Sequence, residues 1–123
     1  MQILLVSREG ERLASLAAGL WTLAESQIFQ ARSRSEAIEL LQEEGIELVV
    51  IDEQLTDMSG LDLAKMVARK HPFVNCILVD NQSPEIFHEQ TEGLGVLMQL
   101  PSPPEMADAK SIMTHLAAIG VCR

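Results

Sequence analysis

Short apolar runs rich in branched side chains alternate along the chain with segments whose apolar residues recur at helical spacing. The runs are Ile3 to Val6, Ile28 to Ala31, Ile46 to Ile51, Val74 to Val79 and Val96 to Leu100. Each has about the length of an average strand. The central ones are apolar nearly throughout, as strands covered on both faces should be. The last, interrupted by Gln99, is the weakest of the five.

Between the runs the period changes. Leu13, Leu16, Ala17 and Leu20 mark a first helical stripe, and Ala37, Ile38, Leu40 and Leu41 a second, with Ser33 or Ser35 as N-cap and Gly45 as stop. A third carries Leu61, Leu63, Ala64, Val67 and Ala68 and ends before Pro72. A fourth opens at Ser83-Pro84, a cap followed by a proline at the first helical position. That one is short and polar, with only Ile86 and Phe87 as apolar members. The fifth starts after Pro103-Pro104 and places Met106, Ala109, Ile112, Met113, Leu116 and Ala117 on one face. Five strand–helix units in series predict an α/β fold, a (βα)5 doubly wound, five-stranded parallel sheet with helices on both faces and right-handed crossovers.

Size and composition narrow this further. The 123 residues suit one domain spanning 1–123, and no repeat or linker divides them. Aromatic residues are 3% with no Tyr, so the core has to be aliphatic. A net charge of −9 argues against a nucleic-acid surface, which needs clustered Lys and Arg. No stretch approaches the ~18 apolar residues that span a bilayer. The opening Met1-Gln2-Ile3-Leu4-Leu5-Val6 run is too short for a signal peptide and reads as a strand. Cys76 and Cys122 do not have metal-ligand spacing, and Cys76 sits in an apolar run, so a reducing cytoplasm is the expected compartment. Met66, Met106 and Met113 fit helix cores better than a cofactor site, and His71, His88 and His115 are scattered.

On a parallel sheet, ligands and chemistry belong at the C-terminal ends of the strands. Those ends read Val6-Ser7-Arg8-Glu9, Val49-Val50-Ile51-Asp52, Val79-Asp80-Asn81 and Gln99-Leu100-Pro101. The run Leu48 to Asp52, with the loop holding Met58, Ser59, Gly60 and Leu61, resembles the phosphoacceptor strand and loop of response-regulator receiver domains. Ile3 to Val6 resembles their first strand, and Ser35 to Leu41 their second helix. Gly93 to Pro101 resembles the Gly-Ala…Lys-Pro segment around their fifth strand. The likeness runs over essentially the whole chain and implies a flavodoxin-like receiver fold in two-component signalling and phosphorelay. Asp52 then stands at the phosphoacceptor position.

The departures bear on mechanism. The resemblance implies an acidic pair after the first strand that holds magnesium; here it reads Ser7 and Arg8. A Thr or Ser is implied after the fourth strand, where Asp80 stands. The lysine before a proline reads Leu100, and the aromatic switch position reads Leu97. Magnesium takes hard oxygen ligands, usually one or two carboxylates with waters, and phosphoryl transfer needs that cation. Asp52, Ser7 and Arg8 make a poor cradle, and Asp80 adds negative charge where a phosphoryl group would go. The expectation is a pseudo-receiver with no metal site and no cofactor, magnesium binding being doubtful. Arg8 is expected to replace the metal by pairing with Asp52, Asp80 or both.

Plainer readings stay open. Asp52 can simply end a strand in solvent, and Arg8 can open a helix on the surface. Asp80-Asn81 can be a turn into the Ser83 cap, and Glu9 and Glu53 can lie on solvated faces. No nucleophile is paired with a base and no Gly-rich phosphate loop follows a strand, so the chain is expected to bind and not to be an enzyme. The expected partners are a histidine kinase, an output domain, another receiver, or a second copy in a homodimer. Neither nucleic acid nor membrane is among them. The resemblance places the contact on the fourth helix, fifth strand and fifth helix, where Leu97 and Met98 offer apolar area. Alternatives are a phosphorylatable receiver using Asp52 and, more distantly, a small flavodoxin-like ligand-binding protein or enzyme.

Overall fold

The structure, a computed structural model, describes residues 1–120. Five strands form one sheet in the order β2-β1-β3-β4-β5: β1 (Gln2–Val6), β2 (Gln27–Ala31), β3 (Leu48–Asp52), β4 (Asn75–Val79) and β5 (Val96–Leu100). Every neighbouring pair is parallel. The helices are α1 (Ala14–Ala24), α2 (Arg34–Glu43), α3 (Gly60–Lys70), α4 (Pro84–Thr91) and α5 (Asp108–Ala118), with a 3-10 turn over Gly10–Leu13 leading into α1. The expected (βα)5 doubly wound, flavodoxin-like fold is the observed one.

Successive side chains of a strand point to opposite faces, and the alternation divides the core in two. Leu4, Val6, Val49, Ile51 and Leu78 pack with Ala37, Leu41, Leu63, Ala64 and Val67 of α2 and α3. On the other face Ile3, Leu5, Leu48, Val50, Ile77 and Val79 meet Leu13, Leu16 and Leu20 and, from α5, Ala109, Ile112 and Leu116. Cys76 is buried in the first cluster, and loss of hydration pushes its thiol up to about 12. Cys122 lies outside the described residues.

Local chemistry sets the boundaries. The hydroxyls of Ser33, Ser59 and Ser83 each accept a backbone N–H in the first turn of α2, α3 and α4. Three details differ from expectation. α2 ends at Glu43, before Gly45. α5 begins at Asp108, because Ala107 precedes it without a side-chain cap, so Met106 lies ahead of the helix and is exposed instead of buried. In β5 the register with β4 shifts between Cys76 and Ile77, which pair with Val96 and Met98. Leu97 is therefore the extra residue of a bulge. Both Leu97 and Met98 then pack, half-buried, against the α1–α5 core.

Candidate functional site

The site forms where β1 and β3 end side by side, Val6 paired with Ile51. Ser7 follows β1 and Asp52 ends β3; both are buried, at 2% and 1% exposure. A buried carboxylate requires partners, and Asp52 accepts four hydrogen bonds from three residues. Oδ2 accepts from the Ser7 hydroxyl at 2.8 Å and from Arg12 Nε at 2.7 Å. Oδ1 accepts from Arg12 Nη2 at 3.3 Å and from the backbone N–H of Glu53 at 2.9 Å. The two Arg12 contacts make a forked, charge-assisted pair. The bond to Asp52, with the charges of Asp52, Glu53 and Glu9 behind it, raises the guanidinium above its ordinary value despite some burial.

Local folding puts each group in place. After β1 the chain turns at once into the 3-10 segment, with Arg12 N–H bonded to Glu9 O at 3.0 Å, and this brings Arg12 back over the sheet rim. After β3 the chain doubles back through a turn closed by Leu55 N–H on Met58 O. Gly60 then sits so close beneath β3 that an added Cβ would lie 2.0 Å from the Asp52 carbonyl oxygen. Only glycine fits there.

A further ring of bonds extends from Arg12. Its Nη2 also donates to the Ser102 hydroxyl, which lies 3.2 Å from Glu53 Oε1. Arg12 Nη2 itself is 3.7 Å from that oxygen. Ser102 is tied by its backbone to the Asn81 side chain, N–H to Oδ1 at 2.9 Å and carbonyl to Nδ2 at 3.0 Å. The ends of β1 and β3 and the loops after β4 and β5 are thus joined through one guanidinium.

This geometry corrects two expectations. Arg8 is exposed and has no hydrogen bond or ion pair among the described residues; it only lines a small cavity of about 100 Å³ with Glu9, Arg12, Asp52, Glu53 and Gln54. Arg12, one helical turn later, makes the pair assigned to Arg8. Leu100 does not line the pocket: it is buried at 2% exposure in the α1–α5 core. The residue before a proline that faces the site is Ser102, joined to Pro103 by a cis peptide.

The remaining candidates lie around this centre. Glu9 contributes backbone, its N–H to the Ser7 hydroxyl at 3.3 Å and its carbonyl 2.9 Å from the same oxygen, while its residue is exposed. Asp80 does not reach Asp52. Its Oδ1 accepts from Gln99 Nε2 at 2.5 Å and from Gln82 N–H at 3.3 Å. Sequence reasoning missed Arg12, Ser102 and Gln99. The signals were a second arginine four residues after Arg8, and a second proline two residues after Pro101.

Comparison with known proteins agrees with the fold. The response regulator receiver domain family matches residues 3–108. The fold is similar to a CheY-like response regulator receiver domain protein from Methanospirillum hungatei JF-1, with TM-score 0.80 and 20% identity over 95% of this chain and 94% of that one. It is similar also to the signal receiver domain of a putative Luxo repressor protein from Vibrio parahaemolyticus, with TM-score 0.79, 22% identity and coverage of 95% and 90%. DrrB, an OmpR/PhoB homolog of Thermotoga maritima, gives 0.78 and 19% identity over 96% of this chain and 52% of that one. No curated protein gives a significant match. Sheet order, strand-end aspartate and family match together place this chain in the response regulator receiver family of two-component signalling.

Proposed function

We propose that this receiver domain is an atypical member that signals through protein–protein contact, without the standard magnesium-dependent phosphorylation of Asp52. Receiver domains interact with kinases or other signalling domains and are generally not enzymes, and the proposal concerns how this one does so. The observation that carries it is the Asp52 carboxylate, buried and forked onto Arg12 with both oxygens already accepting two hydrogen bonds.

The donor set does not fit a magnesium ion. Of the acids that the receiver resemblance implies around a metal, Asp52 alone is present, the pair reading Ser7 and Arg8, and its charge is already met by a guanidinium. Among the described residues no group of three His, Cys, Asp or Glu could hold a metal. A divalent ion on Asp52 would have to displace the Arg12 guanidinium and both of its hydrogen bonds. Arg12 and Ser102 give the loops a fixed arrangement that needs no exchangeable ion.

The partner contact is assigned to α4, β5 and α5, with a kinase, an output domain, another receiver or a second copy as occupant. Leu97 and Met98 contribute to that face only through their half-exposed parts. Among the described residues no helix is long and apolar enough to cross a membrane.

Incubation with acetyl phosphate and magnesium, followed by intact-mass measurement, tests the proposal. No stable phosphoryl adduct is expected. An adduct that vanishes in Asp52→Asn would establish the second reading, a phosphorylatable receiver. That reading has one observation in its favour: Arg12 is about a third exposed and can swing aside.

A further inference from the structure

Beside the Asp52 site, the ends of β3 and β4 leave a cavity of about 420 Å³ against α4. This is within the ~300–1,000 Å³ of ordinary ligand sites. Glu53 and Gln54 wall it from the loop after β3, Asp80 and Gln82 from the loop after β4, and Gln90 from α4; Leu61 gives it an apolar side. Among the described residues no lysine, arginine or histidine lines it. The groove therefore offers carboxylate and amide oxygens around an apolar stretch, with no cation of its own beyond the edge contact of Glu53 with Arg12.

Asp80 is the centre of the argument. Its Oδ1 is held by Gln99 and Gln82, which fixes the carboxylate in one orientation. Its Oδ2 has no partner among the described residues. Gln99 Nε2 is already committed to Asp80 Oδ1 and to the Gln82 carbonyl at 2.9 Å. Where the receiver resemblance implies a hydroxyl that follows an incoming anion, this chain places a fixed negative charge facing a cavity. Anionic ligands are disfavoured by that charge and by the lack of a lysine, arginine or histidine among the described lining residues. A bare metal ion is disfavoured because, among the described residues, no group of three His, Cys, Asp or Glu is placed to hold one.

We propose that this groove receives the guanidinium of an arginine presented by the partner protein. The inference rests on the protein-contact function above and names the chemistry of the partner. An arginine side chain combines an apolar stem with a planar head of five donors. Leu61 suits the stem, while Asp80, Glu53 and the glutamine carbonyls suit the head. An ammonium has three donors on one atom, and so reaches fewer of the oxygens on separate walls than five donors spread over a planar guanidinium. The chain's net charge of −9 favours a basic partner at longer range.

The test is a titration of the full chain with N-acetyl-argininamide, followed by amide chemical shifts. Citrulline and lysine analogues of the same probe are run in parallel. Saturable shifts confined to the amides of Glu53, Gln54, Asp80, Gln82 and Gln90 are expected, with a dissociation constant on the order of millimolar, as suits one side chain. The citrulline analogue should give none and the lysine analogue weaker ones. Asp80→Asn should weaken binding roughly tenfold, the loss of one charge-assisted contact. Glu53→Gln serves as an independent second variant, and the thermal melt of each checks folding. Absence of shifts, equal shifts from citrulline or lysine, or unchanged binding in both folded variants would overturn the proposal. A chain that ignores arginine yet resists acetyl phosphate loses only this inference. One that binds arginine and is phosphorylated loses only the function proposed above.

Discussion

Arg12 is the residue on which the rim depends, and its removal gives the sharpest local prediction. In Arg12→Met the aliphatic stem is kept, but Asp52 stays buried with only Ser7 and the Glu53 N–H as donors. Breaking a buried pair costs ~3–5 kcal/mol when the partner is left wholly unmet. Two remaining donors and a third-exposed Arg12 reduce that, so a loss of ~1–3 kcal/mol is expected in urea unfolding. Adding Asp52→Asn to that variant should recover most of it. Equal stability of Arg12→Met and the unaltered chain would show that the pair contributes nothing. The aspartate itself was legible in the sequence, because an acid ending an apolar run followed by a Gly-containing loop has few other meanings. The arginine was not. Whether Arg8 or Arg12 folds back depends on the 3-10 turn at Gly10–Leu13, a matter of backbone geometry that neither periodicity nor charge encodes. Ser102 was hidden for a similar reason: three prolines, Pro101, Pro103 and Pro104, left the register after β5 open.

Among the helices, α4 stands apart. α2, α3 and α5 each bury apolar residues, whereas α4 has none fully buried and leaves Ile86 exposed. It is held by Phe87 against the core, by the Ser83 cap and by Pro84 at its start. Helices of this length are marginal without packing, so the amides of α4 should exchange with solvent fastest among the five helices. Ser83→Ala removes a cap worth about 1 kcal/mol. It should speed exchange within α4 about fivefold while leaving the exchange of α1 and α5 unchanged. Uniform acceleration through the whole chain would show instead that α4 opens only with the rest. The sequence made this difference visible, since Ile86 and Phe87 are the only apolar residues in a polar segment. It also made the strands visible, because buried parallel strands are long apolar blocks. What periodicity could not show was the β5 bulge, where one extra residue turns Leu97 and Met98 to the same core and breaks the period of two.

For the molecule as a whole, charge is the term with the least compensation. The chain carries −9, and among the described residues the two ion pairs closer than 4.0 Å both belong to Arg12. Other carboxylates accept from backbone N–H groups, as Asp57 does from Arg34 and Asp108 from Glu105, or from neutral side chains, as Asp80 does from Gln99. Folding therefore gathers negative charge with little opposite charge nearby, and self-repulsion opposes the compact state. Salt should relieve it. Between about 10 mM and 150 mM the screening length falls from ~30 Å to ~8 Å, which silences repulsion across the surface. The Arg12–Asp52 pair is buried on the Asp52 side and is screened far less. The melting temperature should consequently rise with sodium chloride over this range by about 2–5 °C, a stabilisation of under ~1 kcal/mol for a domain of this size. Potassium chloride should match it at equal ionic strength, since screening does not distinguish the two cations. A flat or falling melting temperature would mean that attractive pairs at the surface outweigh the excess of carboxylates, and that the acidic groove beside Asp80 is neutralised from within the chain.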